Sequence, residues 1–469
     1  MSRGKIRFTD VFVIGFAMFA VFFGAGNLIF PPFLGMQSGQ SWFPGFLCFV
    51  LADVGLAVLT MLVLVRRQDA GEGGLLSGLG RIPAKIISVT VMLCVGPLLC
   101  IPRTAATTYE MAIQPLLPDV PAWLFGLAFF SLVYLLSLRS SSVVDIIGKI
   151  LTPLLLLTLA ILVVKGLTTP IGEIGPAPSL GHVMKEGFLS GYQTMDVLGA
   201  MVMVVLVSGA AMKKGYTAPR SKFRMILLAS AVAAACLFAV YCGLTYLGAT
   251  ASRMELGSVN QTGLVVLLTE LLLDRVGIYL LALIVFFACL TTAVGLVSSA
   301  AEYFTKLIGK LPYPAVSAAM CLSGVLISAF GISAIIRVAS PILNIIYPLL
   351  LTQILISLIP ALRKKRYACR GAAIGALLVC VLDTACNLGL PLSFIKQLPL
   401  AELGFAWVPF AALGCLIGAL LPERGADEVG ASAPVVQSSD SSTEETPESV
   451  TTIVAMHPQL FRRKHTGGL

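Results

Sequence analysis

Long apolar stretches separated by short polar segments run through most of the chain. Twelve of these stretches are about twenty residues long, which is the length that an α-helix needs to cross the hydrocarbon core of a bilayer. The pattern therefore predicts an all-α, polytopic membrane protein with about twelve transmembrane helices. The predicted spans are residues 11–33, 43–65, 84–112, 121–138, 146–167, 187–210, 223–248, 277–305, 314–330, 333–360, 371–390 and 402–421.

The apolar pattern stops at Leu421, where a segment rich in Ser, Thr, Glu and Asp begins. Residues 422–469 cannot bury enough apolar surface to fold alone, and they therefore predict a disordered tail, either inert or regulatory. Residues 1–421 are predicted to form the transmembrane domain.

Composition supports the membrane assignment and excludes other classes. Of the 469 residues, 57% are hydrophobic and 12% are charged, whereas soluble proteins carry about 25% charged residues. So few charges cannot solvate a globular surface, and so apolar a chain is not disordered. None of the eleven cysteines forms a C-x-x-C pair, and only three histidines occur. Neither a metal centre of His and Cys ligands nor a disulfide framework is expected.

The distribution of Lys and Arg predicts the orientation of the chain. Twenty-one of them fall in loops on one side of the predicted spans and five fall on the other side. The positive-inside rule makes the basic side cytoplasmic, and an even number of spans places both termini there. The same basic loops account for the net charge of +9, so the charge does not indicate nucleic-acid binding.

The first predicted span is interrupted near mid-membrane by Gly24, Ala25, Gly26 and Asn27. A glycine costs about 1 kcal/mol relative to alanine inside a helix, and an asparagine is costly in hydrocarbon unless it is paired. Small residues alone are typical of close helix packing. The added asparagine favours a discontinuous helix instead.

The sixth predicted span contains a second interruption, in the segment from Gly191 to Asp196. A carboxylate this far inside an apolar span needs a partner or a water-filled cavity. Two interpretations stay open: Asp196 pairs with a buried arginine, Arg103 or Arg337, or it belongs to a binding site.

The two interruptions fall on the first helix of two successive blocks of five predicted spans. Because five is odd, the second block is inverted relative to the first, as in secondary transporters whose sites form where two broken helices meet. Free N–H groups at a broken end suit a carboxylate, and free carbonyls suit a monovalent cation. We predict repeats over 11–167 and 187–360, followed by two additional helices over 371–421.

The eighth predicted span carries two adjacent hydroxyls, Thr291 and Thr292, with Ala288 one turn earlier. Two hydroxyl oxygens and one carbonyl can give a hard cation part of its oxygen shell. A threonine in a membrane helix also commonly donates its hydroxyl to a carbonyl of its own helix. The pair alone therefore does not decide between a cation site and this ordinary hydrogen bonding. Glu302 and Lys306 are four residues apart and predict an ordinary ion pair at the inner surface.

Further polar residues lie inside predicted spans. Arg103, Thr107 and Glu110 share one face of the third span, and this polar stripe either gates the outer pathway or makes structural pairs inside the bundle. Asp53, Asp383 and Arg337 are also intramembrane, and the sequence assigns them no role.

The motif content argues against an enzyme. No Ser/His/Asp set, H-E-x-x-H or G-x-x-x-x-G-K-[ST] is visible in the sequence, so hydrolysis, metal catalysis and ATP-driven pumping have no support. A channel remains as an alternative, although the sequence has no repeated filter-like loop. The pattern favours a carrier for an amino-acid zwitterion or for another small zwitterionic or cationic solute.

Four motifs resemble the bacterial branched-chain amino acid:cation symporter family. They are FGAGNLIFPP in the first span, PRTAATTYE in the third, GYQTMD in the sixth and LTTAVGL in the eighth. This family is generally placed with the broken-helix LeuT-type transporters. The resemblance implies secondary uptake of leucine, isoleucine and valine, in symport with sodium or protons, across the bacterial inner membrane.

The resemblance also implies site residues. In LeuT-type transporters one sodium ion lies between the first broken helix and helix eight, and in some relatives a second lies beside an asparagine of the first helix. Asp196 departs from that pattern because its place is usually uncharged, which implies contact with the substrate ammonium or with a coupling proton. The implied ligands are Ala20, Phe23, Ala288, Thr291 and Thr292 for the first sodium, Asn27 and Thr194 for a second cation, and Gly24, Ala25, Gly26, Tyr109, Gln193 and Asp196 for the substrate.

Overall fold

A computed structural model describes residues 6–69, 74–138, 156–254 and 259–422. Within these ranges the regular secondary structure is helical and no strand occurs. π-Helical turns at Leu51–Gly55, Cys94–Leu98 and Tyr109–Ile113 interrupt the second and third spans. The helices are α1 (Phe8–Phe22), α2 (Ala25–Ser38), α3 (Trp42–Val50), α4 (Leu56–Asp69), α5 (Arg81–Leu93), α6 (Cys100–Thr108), α7 (Ala122–Ser137), α8 (Leu156–Thr168), α9 (Leu180–Thr194), α10 (Asp196–Lys213), α11 (Pro219–Thr250), α12 (Gln261–Ile308), α13 (Tyr313–Ser328), α14 (Ile332–Leu358), α15 (Pro360–Arg363), α16 (Arg366–Asn387) and α17 (Trp407–Leu420).

The described helices overlap the predicted spans and confirm the all-α membrane class. In the described ranges, seven helical stretches are long and apolar enough to cross a membrane, and five shorter apolar helices accompany them. Large apolar side chains face outward, as a lipid-covered surface requires; Phe330 is 75% exposed and Ile374 is 63% exposed. The first part of the predicted fifth span and the predicted tail after Pro422 lie outside the described residues.

Both predicted helix breaks are present. α1 ends at Phe22 and α2 begins at Ala25, so that Phe23 and Gly24 are the non-helical residues between them. α9 and α10 are separated by Met195 alone, which takes a left-handed conformation with φ of +66°. The first and sixth spans are therefore discontinuous, as the polar interruptions predict.

The breaks are shorter than the predicted interruptions. Gly26 and Asn27 already belong to the first turn of α2, while Gly191 and Gln193 remain in α9. Asp196 is the first residue of α10. One left-handed residue is enough to end a helix and start the next one in a new direction. The second break therefore needs no loop residues other than Met195.

Two further interruptions were not predicted. Between α5 and α6, Gly96 departs from helical geometry with φ of −89° and ψ of −120°. Pro97 follows it, and a proline has no N–H to donate and clashes with the preceding turn, which explains the kink. Within α12, Asp274 takes φ of +52° and separates the segment before it from the predicted eighth span.

Two glycines on α9 allow this helix to pack directly on α3. A Cβ atom on Gly187 would lie 2.4 Å from the carbonyl oxygen of Gly45, and one on Gly191 would lie 2.7 Å from Cβ of Ala52. Such spacing of small residues is typical of close contacts between membrane helices. The contact holds Asp53, the neighbour of Ala52, beside the end of α9.

Candidate functional site

The two helix breaks meet at the side chain of Asn27, in the first turn of α2. Its amide nitrogen lies 2.8 Å from Oδ2 of Asp196, at the start of α10, and 2.6 Å from the hydroxyl of Tyr241 on α11. The same nitrogen lies 3.4 Å from Oδ2 of Asp53. All four side chains are buried, so the predicted meeting of the first and sixth spans is a polar cluster inside the molecule.

Asp53 reaches this cluster from the π-helical turn Leu51–Gly55. Thr194, the last residue of α9, has its hydroxyl 2.8 Å from Oδ1 of Asp53 and 2.7 Å from the carbonyl oxygen of Gly191. An extra residue in a π-turn redirects a side chain, and such turns are frequent at functional sites. The site therefore has two carboxyl groups where the sequence predicted one.

Neither carboxyl group has a basic partner within the part of the chain that the structure describes. Among the described residues, no Lys or Arg nitrogen lies within ion-pair distance of Asp53 or Asp196. Arg337 is exposed, and Arg103 donates to other acceptors. The interpretation of Asp196 as one half of a structural ion pair is therefore wrong, whereas the surface pair of Glu302 and Lys306 is confirmed at 2.7 Å.

Arg103 on α6 caps the broken end of α9. Its guanidinium donates to the carbonyl oxygen of Gln193 and, at 3.1 Å, to that of Thr194. A cation at this position complements the negative end of the helix dipole. These carbonyls are the type of free group that the sequence predicted for a monovalent cation, and the guanidinium already binds both.

The same guanidinium lies over the backbone of Gly26. A Cβ atom there would lie 2.8 Å from Nη2 of Arg103, so a larger residue would displace the arginine. The ring of Phe30, one turn further along α2, lies 6.0 Å from the guanidinium carbon. Arg103 thus joins the third span to both broken helices. These contacts are structural, and a role in gating the outer pathway stays a prediction.

Glu110 instead joins three elements. One carboxylate oxygen accepts from Nδ2 of Asn260 at 2.9 Å and from the hydroxyl of Thr262. The other accepts from the backbone N–H of Ile332 at 2.8 Å. These bonds connect the π-turn after α6 with the starts of α12 and α14.

Among the residues predicted to bind sodium, the hydrogen bonds of the described structure bring together Thr291 and Ala288 on α12. The Thr291 hydroxyl donates to the Ala288 carbonyl at 2.9 Å, which is the back-bonding alternative. α1 packs chiefly against α10 and α11, whereas α2 packs against α12. In the described part of the chain no hydrogen bond joins Ala20 or Phe23 to Thr292, and the ligand set stays a prediction.

Two predicted substrate ligands have side-chain partners within the fold. The Tyr109 hydroxyl donates to the carbonyl of Val120 at 2.8 Å. Nε2 of Gln193 donates to Ser340 at 2.6 Å, while its oxygen has no partner among the described residues. Of Tyr109 and Gln193, Gln193 is the better placed to contact a substrate at the helix breaks, since its backbone carbonyl also accepts a hydrogen bond from Arg103.

Sequence reasoning missed the part that Asp53 and Tyr241 play in the cluster. Asp53 carries the same signal as Asp196, a carboxylate in the middle of a predicted span, but nothing in the sequence connects it with the break in the sixth span. Tyr241 gives no local signal, because a tyrosine in an apolar helix is equally typical of packing.

The match to known proteins extends over almost the whole membrane domain. Residues 7–424 match the family described as branched-chain amino acid transport protein. The chain belongs to this family. The members of the branched-chain amino acid transport protein family are transporters rather than enzymes, as the motif content predicts.

Relatives in this family have been named for their substrates. The branched-chain amino acid permease BraB of Bacillus subtilis (strain 168) is 37% identical over 425 residues, which cover 88% of this chain and 95% of that protein. A putative branched-chain amino acid carrier protein of Staphylococcus aureus (strain USA300) is 34% identical over 434 residues, covering 88% and 96%.

The fold is similar to that of two solved transporters. Mhp1, a nucleobase-cation-symport-1 family transporter with bromovinylhydantoin bound, gives a TM-score of 0.58 at 13% identity, covering 87% of this chain and 92% of that chain. MhsT in complex with L-phenylalanine gives 0.53 at 14% identity, covering 87% and 98%. At these identities the likeness shows the fold alone, and it confirms the LeuT-type architecture.

Proposed function

We propose that this protein imports leucine, isoleucine and valine across the bacterial inner membrane by symport with a monovalent cation, through alternating access. The observation that carries the proposal is the junction of two helix breaks at buried carboxyl groups that have no ion-pair partner among the described Lys and Arg residues. Two carboxylates in a dry interior are costly without compensating charge, so the site is suited to a cation that enters with the substrate. The names of the relatives support the choice of substrate.

The substrate zwitterion is proposed to lie at the junction of α2 and α10. The first-turn amides of α2, at Ala25 and Gly26, and the break residue Gly24 offer N–H groups and a positive dipole end to the carboxylate. Asp196 and the side-chain oxygen of Gln193, which has no partner among the described residues, offer acceptors to the ammonium group. Glycine at the break lets the ligand approach the backbone closely.

Uptake of labelled leucine into proteoliposomes tests this function. An inward gradient of sodium or of protons should drive saturable accumulation above the external concentration, and unlabelled isoleucine and valine should compete. Comparing sodium, lithium and choline media at two pH values identifies the coupling ion. Uptake that no gradient drives, or single-channel currents from the purified protein, would contradict the proposal.

A further inference from the structure

We propose that an anionic phospholipid binds in a groove between α5 and α16, with its phosphate on Arg81 and Arg370 and an acyl chain along the apolar walls. The groove has a volume of about 560 Å³, and sites for small molecules typically measure about 300–1,000 Å³. It shares no lining residue with the junction of the broken helices, and the proposal does not depend on which solute the protein carries.

The walls of the groove are apolar and come from three helices. The residues that form them are Ile82, Pro83 and Ile87 on α5, Leu349 on α14, and Ala373, Ile374 and Leu377 on α16. Leu349 is buried, whereas Ile82 is 73% exposed and Ile374 is 63% exposed. The groove therefore opens to the apolar surface that lipid covers, and acyl chains can enter it from the bilayer.

A tight turn before α5 fixes Arg370 at one end of the groove. Gly78 in this turn approaches α16 so closely that a Cβ there would lie 2.7 Å from Sγ of Cys369. Nε of Arg370 donates to the carbonyl oxygen of Leu79 at 3.0 Å, which uses one of the five N–H donors of the guanidinium. Nη2 would lie 2.7 Å from a Cβ on Gly80, whose φ of +97° also favours glycine.

The basic end of the groove has no carboxylate of its own. Arg81, the first residue of α5, lines the groove together with Arg370, and none of the described lining residues is acidic. Neither arginine forms an ion pair within the described ranges. A phosphodiester carries one negative charge and acceptor oxygens that suit guanidinium groups. The positive end of the α5 dipole lies at the same end and adds to the attraction.

A basic end and an apolar length together select an amphipathic anion. A free anion would leave the apolar walls uncovered, and a neutral lipid would leave both arginines without a counter-charge. Arg81 and Arg370 belong to the segments that the distribution of Lys and Arg predicts to be cytoplasmic, and anionic lipids of that leaflet attract basic residues. A lipid bound there connects the third span with the eleventh.

The melting temperature of the purified full chain tests the proposal without transport. It is measured in detergent micelles in which phosphatidylglycerol replaces phosphatidylcholine with the same acyl chains, at constant total lipid. Phosphatidylglycerol should raise the wild-type melting temperature with saturation. Arg81→Gln and Arg370→Gln should each raise the half-effective fraction of phosphatidylglycerol by about fivefold, the contribution of one basic residue near an anionic lipid surface. Equal stabilisation of the wild type by the two lipids would overturn the proposal.

Arg220→Gln is the matched control for the two arginines. Arg220 is exposed in the first turn of α11, on the same predicted side of the membrane, and it does not line the groove. Its response to phosphatidylglycerol should equal that of the wild type. An equal loss in Arg220→Gln and Arg81→Gln would show a general attraction of basic loops to anionic lipid and would overturn the site.

Two tryptophan substitutions test the apolar part of the groove. Leu377→Trp places an indole in the groove and should raise the half-effective fraction of phosphatidylglycerol by about fivefold or more. Leu378→Trp changes the adjacent residue, which is also exposed but lies outside the lining, and should retain the response. Equal responses in these two variants would overturn the placement of the acyl chain.

Inorganic phosphate distinguishes a lipid site from a simple anion site. Phosphate that replaces chloride at constant ionic strength should leave the melting temperature unchanged, because it has no acyl chain to cover the walls. A phosphate response that Arg81→Gln abolishes would overturn the lipid assignment. Arg81→Gln also keeps the test decisive if Arg370→Gln does not fold, since the Arg81 side chain makes no hydrogen bond among the described residues.

Discussion

Individual polar residues inside the membrane determine where this molecule can bind ions and solutes. Asn27, Asp53 and Asp196 bond to one another instead of to basic side chains, and Arg103 bonds to the open end of a helix. Each of these groups is costly in an apolar interior unless it is paired or functional. The residues that the chain retains at this cost are those at the junction of the broken helices.

Gly26→Ala tests the contact between Arg103 and the first turn of α2. The new Cβ would lie 2.8 Å from Nη2 of a guanidinium that two carbonyls hold in place. Displacing it leaves these carbonyls unpaired, so we expect a loss of about 1–3 kcal/mol of stability and reduced leucine uptake. The melting temperature of the purified variant and its uptake per folded molecule measure the two effects.

Gly199→Ala is the matched control on α10. No atom lies within 4 Å of a Cβ at this position, and alanine is the better helix former by about 1 kcal/mol. Its melting temperature should equal or exceed that of the wild type. Equal stability and uptake in Gly26→Ala and Gly199→Ala would show that Arg103 does not depend on this glycine.

At the scale of helices, close backbone contacts through glycine position the elements. α9 approaches α3 through Gly187 and Gly191, and this brings Asp53 to Thr194. α16 and α17 approach each other in the same way, and there a Cβ on Gly371 would lie 2.0 Å from the carbonyl oxygen of Gly414. Because a backbone atom cannot rotate away as a side chain can, these contacts fix the distance between two helices.

Gly371→Ala should therefore separate α16 from α17. We expect the melting temperature to fall, by an amount equivalent to about 1–3 kcal/mol, because the helices lose contact along their interface. Gly209→Ala on α10, where nothing lies within 4 Å, is the control and should be neutral. Uptake per folded molecule should persist in both variants, since neither glycine is a proposed ligand. A Gly371→Ala protein as stable as the Gly209→Ala control would argue against the close contact.

For the whole molecule, charge and hydropathy decide the placement in the membrane. The split of 21 to 5 basic residues between the two sides predicts that both termini are cytoplasmic. Broken helices of inverted repeats meet near the centre of the bilayer, so the same assignment predicts the proposed site at that depth. The repeat boundaries at 11–167 and 187–360 remain predictions of the same kind.

Reporter fusions test this orientation. Green fluorescent protein fused after Lys214 or Pro422 should fluoresce, because these positions are predicted to be cytoplasmic. Alkaline phosphatase fused after Lys396 should be active, because that loop is predicted to face outward. Phosphatase activity at Pro422 would reverse the predicted orientation.

The sequence alone predicted the membrane class, the twelve spans and the two breaks, because each depends on local composition. Twenty apolar residues need a bilayer, and glycine with asparagine or aspartate inside such a run weakens the helix wherever the run lies in the fold. Asp196 and Asn27 could therefore be singled out before their surroundings were known.

Only the tertiary structure decided which of these groups meet. Asp53 joins Asn27 and Thr194 across 26 and 141 residues of chain, and no local pattern reports a contact over such separations. The kink at Asp274 and the capping of α9 by Arg103 likewise depend on how the helices pack. Local propensity fixes where a helix can break, whereas helix packing fixes which side chains complete the site.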